Sequence, residues 1–240
     1  MMHSQVFLSL AFILIIFSEI PLASASNKSS SNEPTWPYGS YGLPMTDTGC
    51  PQETESGVQW KTGYRYHDTE DDNEWSRNLR FPAGSWGKDF VEQHFCMLDN
   101  SEGQRAWPNG EYCIFRKNDC PHGFTTGSIS WNDDNDDNSN RVNGYRPEGN
   151  YYLYGVTDIY YCCRSDGSFS TPIDLPTDRP FYLLRYKSTC PQVRNMRLSN
   201  QFFWWDDENY SLHYKNRVSG SHPYTGWSRS NHKIHYCYYF

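Results

Sequence analysis

The chain has 240 residues, with 21 Lys and Arg against 28 Asp and Glu for a formal net charge of −7, and it contains no basic run. That balance excludes the usual electrostatic surface for nucleic acid or an anionic membrane. Aromatic residues make up 17% of the chain, and a protein that buries Trp and Tyr in place of Leu and Ile usually does so on β-strands.

At the N-terminus, Val6 to Phe17 form an apolar run broken only by Ser9, and Ala23-Ser24-Ala25 follows Pro21. This pattern predicts a signal peptide over residues 1–25 with an A-x-A cleavage site. The run is shorter than the ~20 apolar residues of a membrane span, so membrane insertion is not expected. Residues 26–35 then read as a flexible polar tail, and 36–240 as one domain. All eight cysteines, Cys50, Cys96, Cys113, Cys120, Cys162, Cys163, Cys190 and Cys237, follow the cleavage site. An even number in an oxidising compartment predicts a disulfide framework, and no C-x2-C pair supports a zinc site.

A phrase recurs along the domain. Tyr41-Gly-Leu43 precedes Cys50-Pro51, Tyr112-Cys-Ile114 precedes Cys120-Pro121, and Tyr182-Leu-Leu184 precedes Cys190-Pro191. Each is followed by a Trp (Trp60, Trp131, and Trp204 or Trp205) and by an acidic cluster: Glu70 to Asp72, Asp133 to Asp137, and Asp206 to Glu208. Each unit then closes on Cys96, on Cys162-Cys163 or on Cys237. An ordered series occurring three times predicts an internal repeat. If each unit closes its own loop, Cys50 pairs with Cys96 and Cys190 with Cys237, while Cys120 pairs with Cys163 or Cys162 and Cys113 takes the other.

Alternation of apolar and polar residues predicts strands around Val58, Trp60, Tyr64 and Tyr66, around Tyr210, Leu212 and Tyr214, and around Ile234, Tyr236 and Tyr238. No convincing 3.6-residue apolar period appears. The expected fold is therefore all-β: a disulfide-rich single domain of three similar units, compatible with a pseudo-threefold barrel or prism.

A sugar-binding surface combines an aromatic face with groups that hydrogen-bond hydroxyls. On that ground Trp131, Asp133, Asp134, Asp136, Asp137, Trp205, Asp206 and Asp207 are candidate ligand contacts, although any single Trp reads first as a core residue. The tract from Trp131 to Asn140 is the densest in oxygen ligands. Asp133, Asn135 and Asp137 imitate the opening of a calcium loop. The loop glycine is replaced by Asn138 and the bidentate Glu by Gly144, so an EF-hand is excluded, and an irregular calcium site competes with a solvated acidic turn. No cofactor is required. Catalysis has little support: Gly-x-Ser-x-Gly, His-Glu-x-x-His and an unpaired cysteine are all missing, and only a pair of carboxylates suited to a glycosidase stays open. Asn27-Lys-Ser29 and Asn209-Tyr-Ser211 are glycosylation sequons, giving Asn27 and Asn209 as acceptors.

Several longer motifs run in order through the domain: Trp36-Pro-Tyr-Gly-Ser-Tyr-Gly-Leu-Pro44, Trp107-Pro-Asn-Gly-Glu-Tyr-Cys-Ile114, Cys120-Pro-His-Gly-Phe124, Trp131-Asn-Asp-Asp134, Tyr161-Cys-Cys-Arg164, Pro172-Ile-Asp-Leu-Pro176 and Pro180-Phe-Tyr-Leu-Leu184. From Trp36 to about Tyr239 the chain resembles the apextrin C-terminal domain, ApeC. The resemblance implies a secreted protein of innate immunity or apical extracellular matrix that binds bacterial peptidoglycan, muramyl peptides or related glycans. Only the short tail precedes the match, so the pore-forming domain that some members carry is not expected. A weaker resemblance, through Cys-Pro-His-Gly-Phe and Tyr-Cys-Cys-Arg, points to dermatopontin-like matrix proteins. The expected function is recognition of cell-wall glycopeptide, with a structural or adhesive matrix protein as the alternative and a cell-wall hydrolase as the third reading.

Overall fold

The computed structural model describes residues 34–51, 59–100, 105–133, 138–168, 170–187, 189–207, 216–226 and 231–240. They belong to one unit, Glu33–Phe240. The signal peptide, both glycosylation sequons and the strand around Tyr210 to Tyr214 lie outside the described residues.

The described residues form twelve strands and no helix: β1 (Gly39–Pro44), β2 (Lys61–Asp68), β3 (Glu74–Trp75), β4 (Phe90–Asn100), β5 (Glu111–Arg116), β6 (Thr125–Asn132), β7 (Arg141–Gly144), β8 (Val156–Ser165), β9 (Phe181–Arg185), β10 (Leu198–Trp204), β11 (Arg217–Gly220) and β12 (Lys233–Tyr239). All join one sheet curled as a half-barrel. Its main path runs β3-β10-β12-β9-β5-β1-β4-β2-β7, and a branch runs from β5 through β8 and β6 to β11. Every pairing between these strands is antiparallel. The pairing β1–β4–β2 recurs as β5–β8–β6 and as β9–β12–β10. The recurrence is one of strand pairing order and is no confirmation of three similar units.

Central strands are buried on both faces, which explains why the chain reads there as continuous apolar runs instead of alternation. On β5, Cys113 and Phe115 enter one core cluster and Tyr112 and Ile114 the other. On β9, Tyr182 and Leu184 divide from Phe181 and Leu183 in the same way. The Trp-Pro-x-x-x-Tyr phrases are structural. The Tyr41 hydroxyl donates to the Pro37 carbonyl at 2.9 Å and the Tyr112 hydroxyl to Pro108 at 2.6 Å, while the Trp107 ring packs edge-on to Tyr41 at 4.8 Å.

All eight cysteines are bonded. Cys50–Cys96 and Cys190–Cys237 form as the repeat implies. The vicinal pair divides as Cys113–Cys163 and Cys120–Cys162. Adjacent strand residues point to opposite faces, and Cys163 stands directly across from Cys113 in the β5–β8 register. Cys162 therefore faces the second core and takes Cys120.

On β2 the expected alternation is present with its phase reversed. Gly63, Arg65 and His67 point inward, and Tyr64 and Tyr66 are half-exposed. Crowding fixes the phase at Gly63, where a Cβ would sit 2.1 Å from the Tyr145 carbonyl oxygen. Ile234, Tyr236 and Tyr238 are buried as expected.

Candidate functional site

The inward phase of β2 places a guanidinium in the core. Arg65 is fully buried, and its charged group lies 4.4 Å from the Trp131 ring centroid and 5.9 Å from that of Trp205. The two indoles are 5.8 Å apart. Around them stand His67, also from β2, Asp133 after β6, Asp207 after β10, and His232 before β12. His67 Nε2 lies 2.6 Å from Asp133 Oδ1, near enough for an ion pair although not aligned as a hydrogen bond. His232 Nε2 meets the Ser130 carbonyl oxygen at 2.8 Å, and Asp207 accepts from Asn216 at 2.8 Å.

Asp206 acts as a neighbouring clasp. It accepts from Asn231 at 2.9 Å and from the Asp72 backbone N–H at 3.2 Å, and its own N–H donates to Asn73 at 2.8 Å. The first acidic cluster is thereby tied to the third.

Arg65 is unusual because none of its three side-chain nitrogens has a hydrogen-bond partner among the described residues. The other buried arginine, Arg164, donates to Asp166, Asn109 and the Trp107 carbonyl. A buried charge without such partners is costly unless nearby charges and ring faces compensate. Here compensation comes from the Trp131 face and from the carboxylates. Burial pushes the Asp207 carboxyl well above its usual range and Asp133 adds to that, while Arg65 opposes both.

Four of the candidate contacts, Trp131, Asp133, Trp205 and Asp207, thus converge on one point, where each is at most 3% exposed. Asp206, at 9%, borders them. They form an interior polar cluster and not an open sugar platform. Asp134, Asn135, Asp136 and Asp137 lie outside the described residues, and Asp133, the remaining member of the calcium set, is paired with His67. Among the described residues, no group of three or more His, Cys, Asp or Glu side chains could hold a metal ion.

The cluster implies a pH dependence. Burial lowers His67, and it lowers His232 to about 4. An imidazole whose folded pKa is depressed gives stability that is complete above its unfolded value near 6.5 and is lost as pH falls toward the folded value. Asp206 and Asp207, raised by burial, act oppositely, because the native state takes up those protons first. His232, held at about 4 within the cluster, is expected to contribute a fall in melting temperature as pH drops from 6.5 toward 4.5. Replacing His232 by Asn is expected to flatten the slope. A slope unchanged in His232→Asn would contradict this assignment.

The outer surface offers a different feature. Ser130, Asn150, Leu153, Tyr154, Val156, Asp158, Arg217, Val218 and Ser219 line an open groove of about 420 Å³ where β6, β8 and β11 meet. Tyr154 is 79% exposed, with Leu153 and Val218 about half exposed beside it. The turn from Asn150 to Gly155 pushes Tyr154 outward. Tyr152 and Tyr154 both take left-handed backbone angles, φ 58° and 54°, a conformation that costs non-glycine residues about 1–3 kcal/mol and persists only where the surroundings impose it. The imposing contacts are the Leu153–Val156 bridge and the Tyr152 hydroxyl, which donates to the Tyr66 carbonyl at 2.5 Å. Asp158 is held by the Ser130 hydroxyl and by the Asn150 amide at 3.2 Å. An exposed ring beside a fixed carboxylate, an amide and a guanidinium can stack on a sugar and hydrogen-bond its hydroxyls.

Of this groove, none of the residues was expected from the sequence. The signal available was the run Asn150-Tyr-Tyr-Leu-Tyr-Gly155, which sets apolar side chains between two turn-forming residues. Residues 36–239 match the family model for ApeC, the C-terminal domain of apextrin. No curated protein and no solved structure matches the chain.

Proposed function

The chain belongs to the ApeC family, and on that premise we propose that it is a secreted, non-enzymatic recognition protein of innate immunity that binds bacterial cell-wall glycopeptide in the Tyr154 groove. The observation that carries this reading is the exposure of Tyr154, Leu153 and Val218 together, in one groove that also presents Asp158, Asn150 and Arg217. An exposed aromatic held at a backbone cost on a rigid sheet is an arrangement that ligand binding explains and packing does not. Four disulfides support an oxidising compartment. Among the described residues no helix is long and apolar enough to cross a membrane.

The test is sedimentation with insoluble peptidoglycan, followed by assay of released muropeptides. Binding without release supports recognition. Release identifies a hydrolase, and neither outcome leaves the adhesive matrix role. Tyr154→Ala is expected to weaken binding about tenfold, since a stacking contact worth ~1–1.5 kcal/mol is lost. Tyr154→Phe keeps the ring and is expected to retain most of the affinity. Unchanged binding by Tyr154→Ala would place the ligand elsewhere.

A further inference from the structure

We propose that a pocket at the far end of β11, formed by Arg185, Tyr186, Lys187 and Tyr224, takes an anionic substituent, carboxylate or phosphate, of the polymer whose sugar lies in the Tyr154 groove; this rests on the reading above. The pocket encloses about 590 Å³. Arg185 ends β9 and lies over the Tyr224 ring at 4.4 Å, and the Tyr224 N–H donates to the Arg185 carbonyl at 2.8 Å, which pins ring and cation together. Lys187 lies 5.2 Å from the Tyr186 ring centroid.

What marks this pocket is two cations, each held near a ring, that line one cavity without a carboxylate. In a chain of net charge −7, Arg80, Lys88, Arg116, Arg141, Arg164 and Arg194 each have a carboxylate partner. Arg185 and Lys187 have none among the described residues, and the Nε of Arg185 is buried without a hydrogen-bond partner. The His235 ring lies 5.4 Å from Tyr224, and a third cation, Lys233, sits over the Phe202 ring next to His235. Both Arg185 and Lys233 disfavour protonation of His235, a sign that the local field is positive. Two aromatic faces restrict the cations, so little rotamer freedom is left to lose when an anion binds.

Continuity with the groove comes from β11. Ser219 lines the groove, and Ser221 meets the Tyr186 hydroxyl at 3.4 Å. One residue, Gly220, stands between them, at most roughly 7 Å of backbone. Tyr154 stands toward the Arg217 end of β11 and the pocket beyond its Gly220 end, so a polymer with its ring on Tyr154 and its charge on Arg185 and Lys187 runs along the length of that strand.

The experiment measures sedimentation of the full mature chain with two probes, intact Gram-positive walls and the same walls stripped of phosphate polymers by hydrofluoric acid. Arg185→Gln/Lys187→Gln is expected to lose about tenfold in affinity and most of the salt dependence that screening imposes on the natural chain. Lys187→Glu, at an exposed side chain that folding does not need, is expected to weaken binding as well. Loss confined to intact walls assigns the anion as phosphate; equal loss on stripped walls assigns it as carboxylate. If Tyr154→Ala weakens binding while both cation variants bind as tightly as the natural chain, the pocket inference fails alone. If the natural chain binds neither probe, the recognition reading fails and the inference falls with it.

Discussion

Reduction of the disulfides under otherwise native conditions is expected to unfold the domain completely. The four bonds close loops with sequence separations of 46, 50, 42 and 47. On the chain-entropy account a loop of that size restricts the unfolded chain by about 4 kcal/mol. Cys120–Cys162 lies inside the loop closed by Cys113–Cys163 and so adds less, yet the four together come to about 14 kcal/mol, against a total stability of about 5–15 kcal/mol for an ordinary domain. No one bond is redundant in position: Cys50–Cys96 ties the segment after β1 to β4, Cys113–Cys163 and Cys120–Cys162 tie β8 to β5 and to the loop after it, and Cys190–Cys237 anchors β12. The readout is tryptophan emission. Trp131 and Trp205 are fully buried, so a red shift on adding dithiothreitol without denaturant, with loss of the cooperative melt, is the expected result. Retention of both after thiol titration confirms full reduction would mean that the hydrophobic clusters suffice alone.

The residues that made the disulfides readable also show where sequence reading stops. Cys50, Cys96, Cys190 and Cys237 occupy matching places in a recurring phrase, and recurrence constrains pairing without any knowledge of geometry. Cys162 and Cys163 share one place, so only the β5–β8 register, set by long-range pairing, assigns their partners. The same limit applies to β2. Its alternation was visible, but Tyr64 and Tyr66 are stronger apolar signals than Gly63, Arg65 and His67. Backbone crowding at Gly63 and the Trp131 face waiting for Arg65 are tertiary facts.

For the candidate contacts, recurrence marked positions that the fold brings together, and it carried no information on their burial. Trp131 with Asp133, and Trp205 with Asp207, read as parts of separate units. The ends of β6 and β10 bring them together over Arg65, and that convergence buries them. The groove beside Tyr154 depends on β11 lying against β6, a contact between residues about ninety positions apart along the chain. No local pattern in the sequence reports it.

Arg65→Met is expected to destabilise the fold by about 3–5 kcal/mol, more than any surface change. Methionine preserves much of the apolar stem that packs on Trp131, so the lost quantity is charge. Without the guanidinium, Asp133 and Asp207 face one another across a site with a single remaining histidine partner, and removing one member of a buried charged set leaves the others uncompensated. Arg65→Lys restores the charge but not the planar group that stacks on the indole, and it is expected to recover only part of the loss. The decisive measurement is a double-mutant cycle by urea denaturation. If charge compensation is the reason Arg65 is kept, Asp207→Asn should offset a good part of the penalty in the Arg65→Met background, because it removes a carboxylate that no longer has a cation to face. Additive losses would instead assign Arg65 a packing role against Trp131 and Trp205. Stability equal to the natural chain in Arg65→Met alone would show that Asp207 is already protonated in the native state, in line with its upward shift, and that the cation compensates nothing.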